Sequence, residues 1–407
     1  MPIASLLEGA TSSVKRFEDG PGAWALAERL ADELVKSGDI SDPAWREAFA
    51  SVPRHVLVPH FAYLVDTPQG SRYDLVSSLD PDQHAEWLNG VYANETLLTQ
   101  VEGRPVEEIF AGGSGFGRHS SSSTQPGLMA WMLETADLRE GQRVLEIGTG
   151  TGYNAALLSR RLGAGQVTSI DIDAQLTGRA RERLATIGLH PTIVTADGRA
   201  GYAPNALYDR VLATCGLGYV PPAWIEQTRS GGLILTNVTG GLGGAMLLAR
   251  VGEGNIAQGR FMERWAGFMP SRHTTAHEES FADTSTVTRT RIDPDLLGDA
   301  AFAFLAQLYL PQARRYWTTD LDGQDASGVK TPDGSWARVA EQPDADGSRR
   351  VEMGGRRRLW DRVEEAHAVW ENEGRPGWVH FAFEASPDGQ TVSLGDRRWQ
   401  IPMEEIA

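Results

Sequence analysis

Gly148, Gly150 and Gly152 stand at every second position directly after the apolar run Val144-Leu145-Glu146-Ile147, and Tyr153-Asn154 open a helix-like stretch behind them. Glycine at such positions lets the backbone turn sharply and approach a bound molecule that a Cβ would hold away. The helix that follows offers that molecule its free N–H groups and the positive end of its dipole, an arrangement suited to a carboxylate. The dinucleotide fingerprint Gly-x-Gly-x-x-Gly needs a glycine at position 153, where Tyr153 stands. Asp171-Ile172 follow the next strand-like run, and Asp197-Gly198 the one after. An acid at the first place can accept both hydroxyls of a ribose, and the second pair can meet an adenine. With the carboxylate of methionine at the glycine turn, the guest is S-adenosylmethionine. The expected cofactor contacts are Glu146, Gly148, Thr149, Gly150, Gly152, Tyr153, Asn154, Asp171, Ile172, Asp197, Gly198 and Thr214.

The elements that must position these residues alternate between strand and helix. Helix Gly127–Ala136 leads to strand Arg143–Ile147, helix Asn154–Leu162, strand Gln166–Ile170, helix Gln175–Ile187 and strand Thr192–Thr195. Strand Tyr208–Ala213, helix Pro222–Gln227 and strand Gly232–Val238 continue the series, and Gly243–Val251 with Arg260–Met269 form an antiparallel pair. Short strands separated by helices imply an α/β fold: a doubly wound, Rossmann-like parallel sheet of the class I methyltransferase type, binding its ligand at the strand ends.

Residues 22–64 read as helical, broken at Gly38 and ended by Pro53; from Asp66 to Ser123 the pattern dissolves, and the Gly/Ser stretch Ala111–Ser123 reads as a loop able to close as a lid. After a polar linker (His273–Thr288), a helix near Pro294–Tyr309, hairpins around Asp346-Gly347 and Asp388-Gly389, and an amphipathic helix carrying Trp360, Val363, His367 and Trp370 make a smaller α+β module. The expected organisation is 1–125 (helical segment and active-site loops), 126–272 (cofactor-binding core) and 273–407 (C-terminal module).

Composition narrows the partners. A net charge of −16 argues against general nucleic-acid binding, which needs a basic surface. No apolar run reaches the roughly 20 residues of a membrane span, and the N-terminal stretch lacks the pattern of a secretory signal. Cys215 is the only cysteine, which excludes an intrachain disulfide and a cysteine-built zinc site, and no ligand cluster with metal-like spacing appears. A cytoplasmic home fits; the oligomeric state is left unassigned. Arg356-Arg357-Arg358 is read as a solvated helix start, Trp336, Trp360, Trp370, Trp378 and Trp399 as core, Cys215 as a buried filler, and Arg54 and His55 as structural.

Further landmarks lie outside the glycine turn: Ser51-Val52-Pro53-Arg54-His55-Val56-Leu57-Val58-Pro59, Thr124-Gln125-Pro126, Tyr208-Asp209-Arg210-Val211, Pro221-Pro222, Glu226-Gln227, Gly231-Gly232 and Phe268-Met269-Pro270. In these the chain resembles protein-L-isoaspartate O-methyltransferase over residues 28–272. The resemblance implies methylation of a peptide carboxylate, with a serine hydroxyl ahead of the core facing cofactor and substrate. Thr124 occupies that serine's position. Thr124 and Ser122 are the expected catalytic, carboxylate-orienting residues, and Ser123 and Gln125 the expected substrate contacts. The partner is a peptide or protein bearing aspartate or isoaspartate.

A carboxylate with a pKa of about 3.9 is already a nucleophile at neutral pH and needs no general base. With its C-terminal extension and serine-rich lead-in, the chain also resembles methyltransferases of ribosomally made, modified peptides. The favoured expectation is therefore methylation of an aspartate in a cyclised precursor peptide, the ester then closing to a succinimide (aspartimide). The alternatives are repair of isoaspartyl damage in proteins and a non-catalytic peptide-binding protein.

Overall fold

The computed structural model of the chain describes residues 21–67, 70–271, 283–320 and 322–403. The N-terminal stretch read for a secretory signal and most of the predicted linker lie outside these residues. The chain divides into two compact units between Gly198 and Arg199.

The first unit opens with helices α1 (Pro21–Lys36), α2 (Pro43–Ser51) and α3 (Arg54–Leu57). The helical reading of residues 22–64 stops short: from His60 the chain is a strand, β1 (His60–Thr67), paired antiparallel with β2 (Gly70–Ser77). Then come α4 (His84–Val91), β3 (Leu97–Val101), β4 (Arg104–Pro105), α5 (Val106–Ile109), β5 (Ser114–Gly115) and β6 (His119–Ser123). The expected loop Ala111–Ser123 is thus largely sheet. β6 pairs antiparallel with β3, Leu98 opposite Ser122 and Leu97 opposite Ser123. Backbone pairing needs no apolar side chains, so a serine run can be a strand when a neighbour fixes its register. A segment held this way is a wall of the site and not a free lid. Ala62, Tyr73, Val101, Val106 and Phe110 form the core beneath this sheet.

The rest of the unit follows the alternating pattern: α6 (Pro126–Thr135), β7 (Val144–Ile147), α7 (Tyr153–Leu162), β8 (Val167–Asp171), α8 (Ala174–Thr186) and β9 (Thr192–Thr195). β7, β8 and β9 are parallel neighbours. All four residues of β7 are buried, as expected for a strand covered on both faces. Asp173 caps α8 by accepting from Gln175 N at 2.9 Å and Leu176 N at 3.2 Å. Leu176, Ala180 and Leu184, spaced one turn apart, form its buried stripe.

The second unit contains β10 (Tyr208–Leu217), α9 (Pro222–Glu226), β11 (Thr228–Thr239), β12 (Gly244–Val251), β13 (Ala257–Phe261), β14 (Thr284–Thr290), α10 (Ala300–Tyr309), β15 (Arg314–Thr319), β16 (Asp325–Lys330), β17 (Trp336–Ala340), β18 (Arg349–Gly354), α11 (Leu359–Asn372), β19 (Ala382–Ser386), β20 (Gly389–Leu394) and β21 (Arg397–Ile401). β10 and β11 are parallel, and β11, β12 and β13 continue antiparallel. β13 lies earlier than the strand expected at Arg260–Met269. A separate antiparallel sheet has the order β14-β18-β17-β16-β15. Trp336, Trp360 and Trp370 are buried as expected, while Trp378, Trp399 and Cys215 are only half-buried.

The last three strands do not form a module apart. β19 pairs with β13, and β20 and β21 extend the same sheet, so no break falls at residue 272. Buried Gln390 strengthens this join: its Oε1 accepts from Val220 N at 3.0 Å and its Nε2 donates to Val220 O. Gln390→Leu leaves both main-chain groups buried without partners, which is expected to cost about 2–4 kcal/mol. Urea denaturation should show this loss across the whole unit; an unchanged midpoint would mean the C-terminal strands are dispensable to the fold.

Candidate active site

The glycine turn between β7 and α7 is built as its composition requires. Gly148, Gly150 and Gly152 all have positive φ, of 99°, 51° and 85°, a region costly for residues with a Cβ. At Gly152 a Cβ would also stand 3.2 Å from the Ala180 Cβ and 3.3 Å from Leu184 Cδ1. Gly148 N and Thr149 N donate to Ile170 O at 2.8 and 3.2 Å. Gly150 N donates to Asp171 Oδ2 at 3.0 Å, and Asp173 N to Asp171 Oδ1 at 3.1 Å.

Beneath the turn sits Glu146, fully buried. Asn154 Nδ2 donates to its Oε1 at 2.8 Å and Ser169 Oγ to its Oε2 at 2.5 Å, and Ser169 Oγ meets Thr149 Oγ1 at 2.7 Å. Burial pushes the Glu146 carboxyl up to about 7, against the bonds from Ser169 and Asn154. Direct cofactor contact, expected from the sequence, is closed to a side chain with no exposure; Glu146 acts through the turn it holds. Tyr153 and Asn154 are likewise buried, Tyr153 packing edge-on against Phe49 and under the Arg54 guanidinium. Their side chains face inward, leaving only their main chain to a ligand.

Three features fit an adenosyl cofactor. Asp171 presents a carboxylate at the strand end, Ile172 beside it is 42% exposed and offers apolar surface to a base, and Gly198 lies so close to Ile147 that a Cβ would come to 2.5 Å from its Cγ2. Asp197 precedes Gly198, half-buried. Thr214 is on β10 in the second unit, also half-buried.

The segment Ser122–Gln125 adjoins the turn: a Cβ on Gly150 would lie 3.5 Å from Ser122 O. Most hydroxyls of β6 are committed: Ser120 Oγ accepts from Gly103 N at 2.9 Å. Ser121 Oγ accepts from Thr99 Oγ1 at 3.3 Å, and Ser123 Oγ accepts from Arg54 Nη2 at 3.1 Å. Ser122 and Thr124 are half-buried, and their hydroxyls bond no described residue. Ser123, expected to touch substrate, is instead an anchor, 3% exposed. Gln125 is also an anchor: its N–H donates to Thr96 Oγ1 at 3.1 Å and its Nε2 to Asn94 O at 3.0 Å.

Arg54, expected to be structural, is what holds this segment, a role its sequence position does not reveal. Arg54 Nη1 donates to Val91 O (2.8 Å) and Ala93 O (3.2 Å), and Nη2 to Glu95 O, Thr124 O (both 3.3 Å) and Ser123 O (3.4 Å). His55 Nδ1 meets Tyr92 OH at 2.6 Å. The Pro-Arg-His landmark thus braces the loop 91–95 against Ser123-Thr124. Among the described residues no helix is long and apolar enough to cross a membrane, and no group of three or more His, Cys, Asp or Glu is placed to hold a metal.

The parallel strands, glycine turn and strand-end acids define a class I S-adenosylmethionine-dependent methyltransferase. The profile of the family Protein-L-isoaspartate(D-aspartate) O-methyltransferase matches residues 113–265. A relative from Anaeromyxobacter sp., named protein-L-isoaspartate O-methyltransferase 1, is 41% identical over 234 residues, 57% of this chain and 88% of its own. One from Archaeoglobus fulgidus, protein-L-isoaspartate O-methyltransferase 2, is 28% identical over 249 residues, covering 60% and 92%. One from Ignicoccus hospitalis is 41% identical over 115 residues, 28% of this chain; there the match spans only about half of the relative, 54%. The chain belongs to the protein-L-isoaspartate O-methyltransferase family, whose members are carboxyl O-methyltransferases.

A solved protein-L-isoaspartate O-methyltransferase shares the fold with a TM-score of 0.52 at 21% identity, over 90% of this chain and 99% of that one. Residues 1–272 alone could not fill 90% of 407 residues. Part of the C-terminal region, which the sequence reading set outside the family, therefore belongs to the shared fold.

The buried carboxyl yields a pH prediction. Glu146 holds its proton in the folded state up to about 7, whereas the unfolded chain releases it near pH 4.5. Between these values the folded state binds more protons, so this group's contribution to stability falls as pH rises and levels off above 7. Glu146→Gln should flatten the dependence by up to about 3 kcal/mol between pH 4.5 and 8, measured by urea denaturation. Parallel curves for the two proteins would contradict the assignment.

Proposed function

We propose that the chain transfers the methyl group of S-adenosylmethionine to the free carboxylate of an L-isoaspartyl residue in a peptide or protein. One observation carries the reading: Ser122, whose carbonyl oxygen adjoins Gly150, and Thr124 keep uncommitted hydroxyls on a segment braced by Arg54. The cofactor supplies an activated methyl group: the S–CH3 bond breaks as the O–CH3 bond forms, and the bonding pair stays on sulfur. Asp171 would accept the ribose hydroxyls, Ile172, Asp197 and Gly198 would hold the adenine, and the turn Gly148–Gly152 would hold the amino-acid end. Thr124 and Ser122 donate to one carboxylate oxygen and leave the other aimed at the methyl carbon. No residue has to move a proton, because the acceptor is already ionised. Alignment and exclusion of water carry the rate.

A second reading keeps the chemistry and changes the peptide. The acceptor would be an aspartate side chain of a cyclised ribosomal precursor. The next backbone nitrogen then attacks the ester carbonyl, methanol leaves and an aspartimide remains. The threonine at the family's serine position favours a narrower peptide choice; the family relatives favour the first reading.

Incubation with labelled cofactor and either an isoaspartyl peptide, its aspartyl twin or a cyclised precursor separates these by mass. The first reading expects ester on diverse isoaspartyl peptides and none on the twin; ester confined to the cyclised precursor would reverse the order. No transfer to any of them would leave a peptide-binding protein. Thr124→Ala should slow transfer about tenfold or more, the worth of one hydrogen bond to a charged group, with cofactor affinity unchanged and Thr124→Ser active. Unchanged turnover in the alanine variant would remove Thr124 from the reaction.

A further inference from the structure

Arg54 is 0% exposed, yet every partner of its guanidinium is neutral: the carbonyls of Val91, Ala93, Glu95, Ser123 and Thr124, and the Ser123 hydroxyl. The groups whose charge would favour its cation are the phenols of Tyr153, Tyr92 and Tyr63, and no carboxylate is among them. Phenols are un-ionised at neutral pH. Burial lowers the guanidinium to about 10, still charged in neutral solution. Buried charges in proteins are normally paired, because an isolated one forfeits its hydration without recompense. Arg338 shows the usual solution in this chain, donating to the buried carboxylate of Glu352 at 2.6 Å. Among the described residues, Arg54 has hydrogen bonds in place and no counter-ion.

The missing anion has an obvious place. Arg54 donates to the carbonyls of Ser123 and Thr124, in the segment whose uncommitted hydroxyls are proposed above to orient the acceptor. We infer that Arg54 is a specificity-determining residue for the acceptor: its uncompensated buried charge selects a carboxylate in front of Ser122 and Thr124, and the substrate anion is its counter-ion. This rests on the isoaspartyl-carboxylate reading.

The reaction gives the inference a directional consequence. Transfer joins a carboxylate to a sulfonium, and both charges vanish. A fixed positive charge stabilises the bound carboxylate, does nothing for the neutral ester, and raises the energy of the sulfonium. At the transition state the first and last effects oppose each other, so kcat should move little. The effect belongs in binding, as tight capture of the acid and ready release of the ester. A residue that only braced the loop would affect acid and ester alike.

The test is equilibrium binding of an isoaspartyl peptide, its methyl ester and its carboxamide to the full chain loaded with S-adenosylhomocysteine. Wild type should bind the carboxylate about tenfold or more tighter than either neutral form, from a charge pair in a low-dielectric site. That preference should survive high salt, because a buried charge is poorly screened. Arg54→Gln should lose the preference through weaker acid binding at unchanged ester affinity, and Arg54→Lys should keep most of it. Equal weakening of acid and ester in Arg54→Gln, or no preference in wild type, would overturn the inference; the wild-type comparison stands even if the glutamine variant folds poorly. Failure of wild type to bind any of the three peptides would instead overturn the acceptor reading, and this inference with it.

Discussion

The Glu146 carboxylate lies between β7, α7 and β8 and receives donors from the latter two, Asn154 and Ser169. Ser169 in turn meets Thr149 on the glycine turn. A group buried so completely can only be kept by satisfying its oxygens. Satisfying them sets the distance between the two strands and the helix start at the point where the cofactor must enter. Three left-handed glycines and the bonds from Gly148 and Thr149 to Ile170 carry the chain over that centre.

Around this fixed turn the acceptor side is held by hydrogen bonds of a different kind. The serine run of β6 spends three hydroxyls on anchoring, Ser120 toward Gly103, Ser121 toward Thr99 and Ser123 toward Arg54. Ser122 and Thr124 are left uncommitted. Because the acceptor is an anion that becomes neutral, such a site needs direction and charge and no acid–base pair. That division explains why the histidine of the Pro-Arg-His landmark is tied to Tyr92 and takes no part in proton transfer.

How much of this was legible depended on where each signal resides. The glycine turn, Asp171 and the alternating elements from α6 to β9 could be read because their causes are local: apolar strand runs, left-handed glycines and a capped amphipathic helix. Residues 60–123 could not, because β6 is His-Ser-Ser-Ser-Ser and owes its strand state to β3, a partner that leaves no mark on its own composition. The same holds for β19, whose pairing with β13 turned an expected separate module into an extension of a sheet. Glu146 and Ser123 were recognised as important but assigned contact roles, since burial is decided by neighbours far away in the chain. Arg54 was read as structural; the absence of a counter-ion shows only once its surroundings are assembled.

The account stands on the turn and Asp171 forming an S-adenosylmethionine site, and calorimetric titration of that cofactor into wild type and Asp171→Asn tests it most directly. Wild type should bind one equivalent. The variant, which trades a ribose-accepting oxygen for a donor, should bind about tenfold or more weakly, as the loss of a hydrogen bond to a charged group implies. Absence of binding to wild type, or equal affinity in the two proteins, would contradict the account.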